Sequence, residues 1–236
     1  MTLRLSVIVF VALVVGCTRE SARATLGSPM PVDLIKQLPD LEGFRRAAQS
    51  LAVLDAILSP DWEYRYYSFD AAWSDGEMMA SMRDDQGDHW FALLTDAGTV
   101  LHGLAHESDS FHSGRPKPWV FADLPELFQE SFLREPAFDT SNSTYCIWRQ
   151  PGDAAWSHGV KPAGLDDGHA QHLSVLVGGP SAYVAWARDY YEVELARDDV
   201  AAVLDHKPIT PELARRMNPD VDIEALQAEL RRIGYR

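Results

Sequence analysis

The sequence predicts an α+β fold in a single domain, an antiparallel meander sheet with helices packed mainly on one face. Three observations carry this. The aromatic-rich block from Trp62 to Glu107 alternates with period two and is broken by Asp75-Gly76, Asp84-Asp85-Gln86-Gly87-Asp88 and Asp96-Ala97-Gly98, loops short enough to require antiparallel neighbours. The segments on either side of it carry apolar residues at spacings of three and four, as helices do. With only Cys17 and Cys146 in the chain, no disulfide framework is expected, so stability must come from an ordinary core.

The elements follow in order. Asp33 opens a short helix with Leu34, Ile35 and Leu38, and Asp40 caps a longer one in which Leu41, Phe44, Ala48, Leu51, Leu54 and Leu58 form one stripe until Ser59-Pro60 stops it. Four strands come next, beginning at Glu63–Phe69. Asp123 is expected to cap a helix through Leu127, Phe128 and Phe132 that ends at Pro136. Thr144–Arg149 reads as a fifth strand and His172–Val177 as a further one, with a long aperiodic loop from Pro151 to Gln171 between them. The remainder is helical, from Tyr183 to Tyr190, from Asp198 to Leu204, after the Thr210-Pro211 cap, and from Asp222 to Ile233.

The start of the chain speaks about address. Met1–Gly16 has Arg4 as its only charge and an apolar run from Leu5 to Val15. That run is shorter than the roughly 20 residues needed to span a bilayer and has the length of a signal-peptide core. Val14-Val15-Gly16-Cys17 resembles the lipobox of bacterial lipoproteins, which implies acylation of Cys17 and a bacterial cell-envelope location, membrane-anchored and exported. Residues 1–16 are therefore read as signal peptide, 17–31 as lipid anchor and flexible linker, and 32–236 as the domain. The formal net charge of −14 is spread along the chain. Nucleic acid and anionic lipid surfaces are repelled by such a body, so membrane attachment depends on acyl chains and the expected protein partner is a basic one.

Candidate chemistry is sparse. His102 and His106 sit four apart without the Glu of HExxH, and on one strand they lie about 13 Å apart, too far to share an ion. A site must instead recruit His169 or His172 from the later chain. Asp84, Asp85 and Asp88 lack EF-hand spacing, and Asp166-Asp167-Gly168-His169 reads likewise as a solvated loop. Glu63 and Glu77 are expected to pair across strands with Arg65 and Arg83. Cys146 reads as a buried thiol. No metal, cofactor or nucleophile elbow is expected. The densest aromatics, Tyr64, Tyr66, Tyr67 and Trp73, form the candidate binding surface.

The block Glu63-Tyr-Arg-Tyr-Tyr-Ser-Phe69, Gly76-Glu-Met-Met-Ala-Ser-Met-Arg83 and Gly103-Leu-Ala-His-Glu-Ser108, followed by Tyr190-Tyr191-Glu192 and Ile233-Gly234-Tyr235, resembles an uncharacterised bacterial protein family. The resemblance implies one coherent domain and transfers no functional residue. The functional expectation is an acidic, lipid-anchored binding or interaction protein of the envelope, immunity- or inhibitor-like. The alternative is an envelope hydrolase using histidines of the 151–171 loop and the meander.

Overall fold

Asp40 caps the first long helix as expected, its Oδ1 accepting the Gly43 N–H at 2.8 Å. That helix, α1 (Leu41–Leu58), ends where Pro60 forbids continuation. The computed structural model describes residues 33–114 and 117–235; the expected signal peptide, Cys17 and the linker lie outside them. The single stripe expected for α1 is too narrow. Every residue from Ala48 to Ile57 is buried, because α1 rests on the sheet with one side and is covered by later helices on the other.

The meander is formed by β1 (Tyr67–Ser74), β2 (Glu77–Arg83), β3 (His89–Thr95) and β4 (Gly98–Leu104), continued by β5 (Tyr145–Arg149) and the short β6 (Ser157–His158). All six strands are antiparallel to their neighbours and lie in chain order. The first strand begins later than expected: Trp62–Tyr64 is a 3-10 turn and pairing starts at Tyr67. Arg65 explains the delay. Its buried guanidinium donates to the carbonyls of Ser59 and Pro60 and pairs with Glu229, which folds the chain back before it can extend. The expected cross-strand pairs of Glu63 and Glu77 are replaced by this link and by Arg83, which stacks 4.3 Å from the Trp62 ring centroid.

Two short helices, α2 (Asp109–His112) and α3 (Glu126–Ser131), follow the meander. Asp123 does not cap α3; it takes a positive φ of 61° in the preceding turn, and the helix starts after Pro125. The expected strand at His172–Val177 is helical, part of α4 (His169–Tyr190). Buried His172, Leu173, Val175 and Leu176 recur at helical spacing, a pattern that a short apolar run cannot distinguish from a strand. At Gly179, φ 66° and ψ −160° bend α4 just before Pro180. Three helices close the chain: α5 (Arg197–Leu204), α6 (Pro211–Met217) and α7 (Ile223–Ile233). Thr210 and Asp222 cap the last two as expected.

Strand alternation sorts the core into two layers. Tyr67, Phe69, Ala80, Met82, Trp90, Ala92, Leu101 and Ile147 face α1, α4, α5 and α7. Met79, Leu93, Val100, Cys146 and Trp148 face the other way, under Val120, Leu124, Phe128, Phe132 and Phe138. The long helices thus lie on one face, while the second face is roofed by the segment around α3. No described helix is long and apolar enough to cross a membrane.

Candidate functional site

Period-two alternation also decides which polar residues meet. Asp88 immediately precedes β3 and shares the side of Trp90, toward α4, whereas His89 turns to the second face. The loop before it is shaped by Asp84, whose Oδ1 accepts the N–H groups of Gln86 and Asp88 at 2.8 and 2.9 Å. Asp88 is therefore buried instead of lying at a solvated tip.

Three groups converge on the Asp88 carboxylate. His172 Nε2 donates to Oδ2 at 3.1 Å, and both the backbone N–H and ring Nδ1 of His106 donate to Oδ1, at 2.7 and 2.6 Å. Burial alone would push this carboxyl up, but the hydrogen bonds from His172 and His106 outweigh it and hold the group well below the usual carboxylate range. An ionised carboxylate only accepts, so His172 carries its proton on Nε2, and Nδ1 faces the Tyr145 hydroxyl at 2.9 Å. Burial keeps Tyr145 protonated. A relay of hydrogen bonds therefore runs from Tyr145 through His172 and Asp88 to His106.

Tyr145 reaches His172 because its partner in the ladder is Gly103. A Cβ at position 103 would lie 2.2 Å from the tyrosine oxygen; only glycine lets the ring cross β4. His106 reaches Asp88 because β4 ends at Leu104 and the chain turns, Ser108 N–H donating to the Ala105 carbonyl at 3.1 Å. His106 is 35% exposed, and its pKa is raised by the Asp88 hydrogen bond, with Glu107 and Asp84 adding negative potential.

A second pair adjoins the first. Asp167 is buried, not solvated as the sequence suggested, and its Oδ1 accepts from His169 Nδ1 at 2.5 Å and from Lys161 Nζ at 2.8 Å. Burial opposes ionisation of Asp167, but His169 and Lys161 together lower its pKa. Gly168 backs so closely onto Ala105 that a Cβ there would lie 2.1 Å from the alanine methyl, which sets the two Asp–His pairs side by side. His106 Nε2 and His169 Nε2 have no hydrogen-bond partner among the described residues.

Of the four histidines singled out in sequence, three therefore meet here, and His102 does not. It points to the second face, wholly buried, with Nδ1 on the Ser143 hydroxyl at 2.8 Å and its ring 5.9 Å from that of His89. The expected aromatic surface is also divided. Tyr64 is 60% exposed, Tyr66 packs on Trp186 and Tyr190, Tyr67 is buried, and Trp73 stacks on Phe138 of the second layer. The described residues hold no cluster of three metal-ligating side chains.

No family model, curated protein or solved structure matches this chain. Function is therefore read from the residues themselves. Sequence reasoning missed Asp88, Tyr145 and Asp167 as partners of these histidines. Gly103 opposite a strand tyrosine is the only local signal that pointed toward the relay, and it is readable only once the register is known.

Proposed function

We propose that the protein is an acidic binding protein of the bacterial envelope, held by acyl chains on Cys17 and recognising a basic protein in an immunity- or inhibitor-like manner. One observation carries this reading: the net charge of the chain is −14, its sheet is roofed on both faces, and among the described residues all acids except Asp55, Asp88 and Asp167 lie at or near the surface. Asp85, Glu107, Asp109 and Asp166 are exposed around the Asp88 hub, and the Ser110 N–H bond to the Asp166 carbonyl at 2.8 Å holds two of these loops together. Such a rim favours a cationic partner by steering and complementarity. The test is crosslinking in intact envelopes followed by affinity measurement against salt. A reproducible basic partner whose association weakens steeply with ionic strength, and weakens again in Glu107→Lys/Asp166→Lys, is expected; association insensitive to salt and to both reversals refutes the proposal. For the anchor, Cys17→Ala should abolish acyl labelling and release the protein from membranes.

The hydrolase reading is favoured by a different observation, the free Nε2 of His106 and of His169, each opposite a carboxylate-held Nδ1. That is the orientation a general base requires. His106→Gln should remove any ester or amide hydrolysis found in purified protein, and turnover unchanged by this substitution and by His169→Gln excludes the pair as its source.

A further inference from the structure

The chain contains four lysines. Lys36, Lys161 and Lys207 each face a carboxylate, from Asp33 at 3.1 Å, Asp167 at 2.8 Å and Asp205 at 3.6 Å. Lys117 faces none among the described residues. Its ammonium meets only the Asn142 carbonyl at 3.5 Å and lies 5.7 Å from the Phe111 ring centroid. Burial lowers its pKa, and no charged neighbour contributes. Of the four lysines, Lys117 is thus the one without a carboxylate partner among the described residues.

The ammonium stands in a groove of about 480 Å³ whose lining includes Phe111, Val120, Phe121, Thr140 and Asn142. That size falls within the few hundred to about 1,000 Å³ typical of small-ligand clefts, and the lining sets the apolar side chains of Phe111, Val120 and Phe121 against Lys117 and the polar residues 140–143. We propose that this groove binds a carboxylate borne on an apolar body. The carboxylate pairs with Lys117 and accepts from the Asn142 side-chain amide; the apolar part lies against Phe111 and Phe121. A small anion without an apolar body gains too little to enter a negatively charged surface, so the aromatic walls are as necessary as the cation. Two sources share this chemistry, a peptide C-terminus and a free carboxylic acid. The proposal does not depend on the acidic-surface reading.

The test titrates the isotope-labelled full chain with N-acetyl-phenylalanine, following backbone amide shifts of residues 111–121 and 140–143. Saturable shifts in these segments are expected, weakened at least about tenfold, or about 1.4 kcal/mol, by Lys117→Met and retained by Lys117→Arg. N-acetyl-phenylalaninamide, which lacks only the charge, should bind as weakly as the acid binds Lys117→Met. Equal affinity for 3-phenylpropanoate assigns the source to free acids, and weaker affinity assigns it to peptide C-termini. Absence of saturable shifts, equal binding of the amide, or unchanged binding in a folded Lys117→Met protein overturns the proposal. Should Lys117→Met not fold, the acid and amide comparison on the unmodified chain decides alone.

Discussion

Asp88 and His172 are 84 positions apart in the sequence yet meet at 3.1 Å, fastening α4 to the start of β3. The carboxylate also holds the turn after β4 through His106. Asp88→Ala would leave three donors without their acceptor in a largely buried place. A loss of about 3–5 kcal/mol is expected, the range for breaking a buried charge-assisted network, with a smaller loss for Asp88→Asn. Urea unfolding followed by far-UV circular dichroism measures both; a loss under about 1 kcal/mol for alanine would show that the hub is not structural.

Gly103→Ala tests the crossing of Tyr145 over β4. The added methyl overlaps the tyrosine ring, so the ring must leave and its hydrogen bond to His172 breaks. Overpacking of this kind costs about 1–3 kcal/mol, plus about 1 kcal/mol for the hydrogen bond. In Tyr145→Ala the same glycine substitution should be nearly neutral, because nothing then occupies the space. A double-mutant cycle reads the coupling; additive losses would remove the explanation.

Acid stability depends on His102. Burial, with a further push from His89, depresses its pKa to about 3. Between about pH 6.5 and 3 the unfolded chain binds a proton that the folded state refuses, so stability falls as pH falls through that window. At pH 5 this amounts to about 2 kcal/mol relative to pH 7. His102→Leu removes the titration, and its urea midpoint should move less between pH 7 and 5 than that of the unmodified protein. An unchanged pH slope assigns the acid limb to other groups, among them Asp88.

Asp55 acts with the opposite sign. It is wholly buried and accepts from the Tyr67 N–H and the Tyr183 and Tyr191 hydroxyls at 2.7, 2.8 and 2.9 Å. Burial raises its pKa to about 7 despite those bonds. From about pH 4 to 7 the folded state keeps a proton that the unfolded state has released, so this residue lowers stability as pH rises. Asp55→Asn should steepen the net gain in stability between pH 5 and 7 by removing the opposing slope, and Asp55→Ala should cost about 3–5 kcal/mol through three orphaned donors. A pH slope in Asp55→Asn no steeper than in the unmodified protein would place the opposing titration elsewhere.

The meander was legible because its turns are written in Asp, Gly and Gln, and the first long helix and the last two because Asp40, Thr210 and Asp222 cap them. What escaped the sequence is long-range. Arg65 delays β1 through a bond to Glu229, and His172–Val177 became helix because its burial follows α4 and not a neighbouring strand. The candidate site was half legible. Histidines are conspicuous in a sequence, but Asp88 and Asp167 looked like ordinary turn acids, since their burial depends on α4 and on Thr144, whose hydroxyl donates to the Asp167 carbonyl at 2.8 Å. His102 misled because the position of a residue along a strand fixes its face, and the turn that returns His106 to the first face cannot be placed from spacing alone.

The second layer under α3 contains Cys146, fully buried, its thiol pushed up by burial to where thiolate is scarce. A sulfur so sealed is a clock. Alkylating reagents modify it only in molecules whose roof over β5 has opened, so the rate of labelling under native conditions, measured with Cys17 replaced, reports how often that layer lifts. The larger layer beneath α1 and α4 can stay closed meanwhile, and comparing the labelling rate with global unfolding tells whether the two halves of the core breathe together or apart.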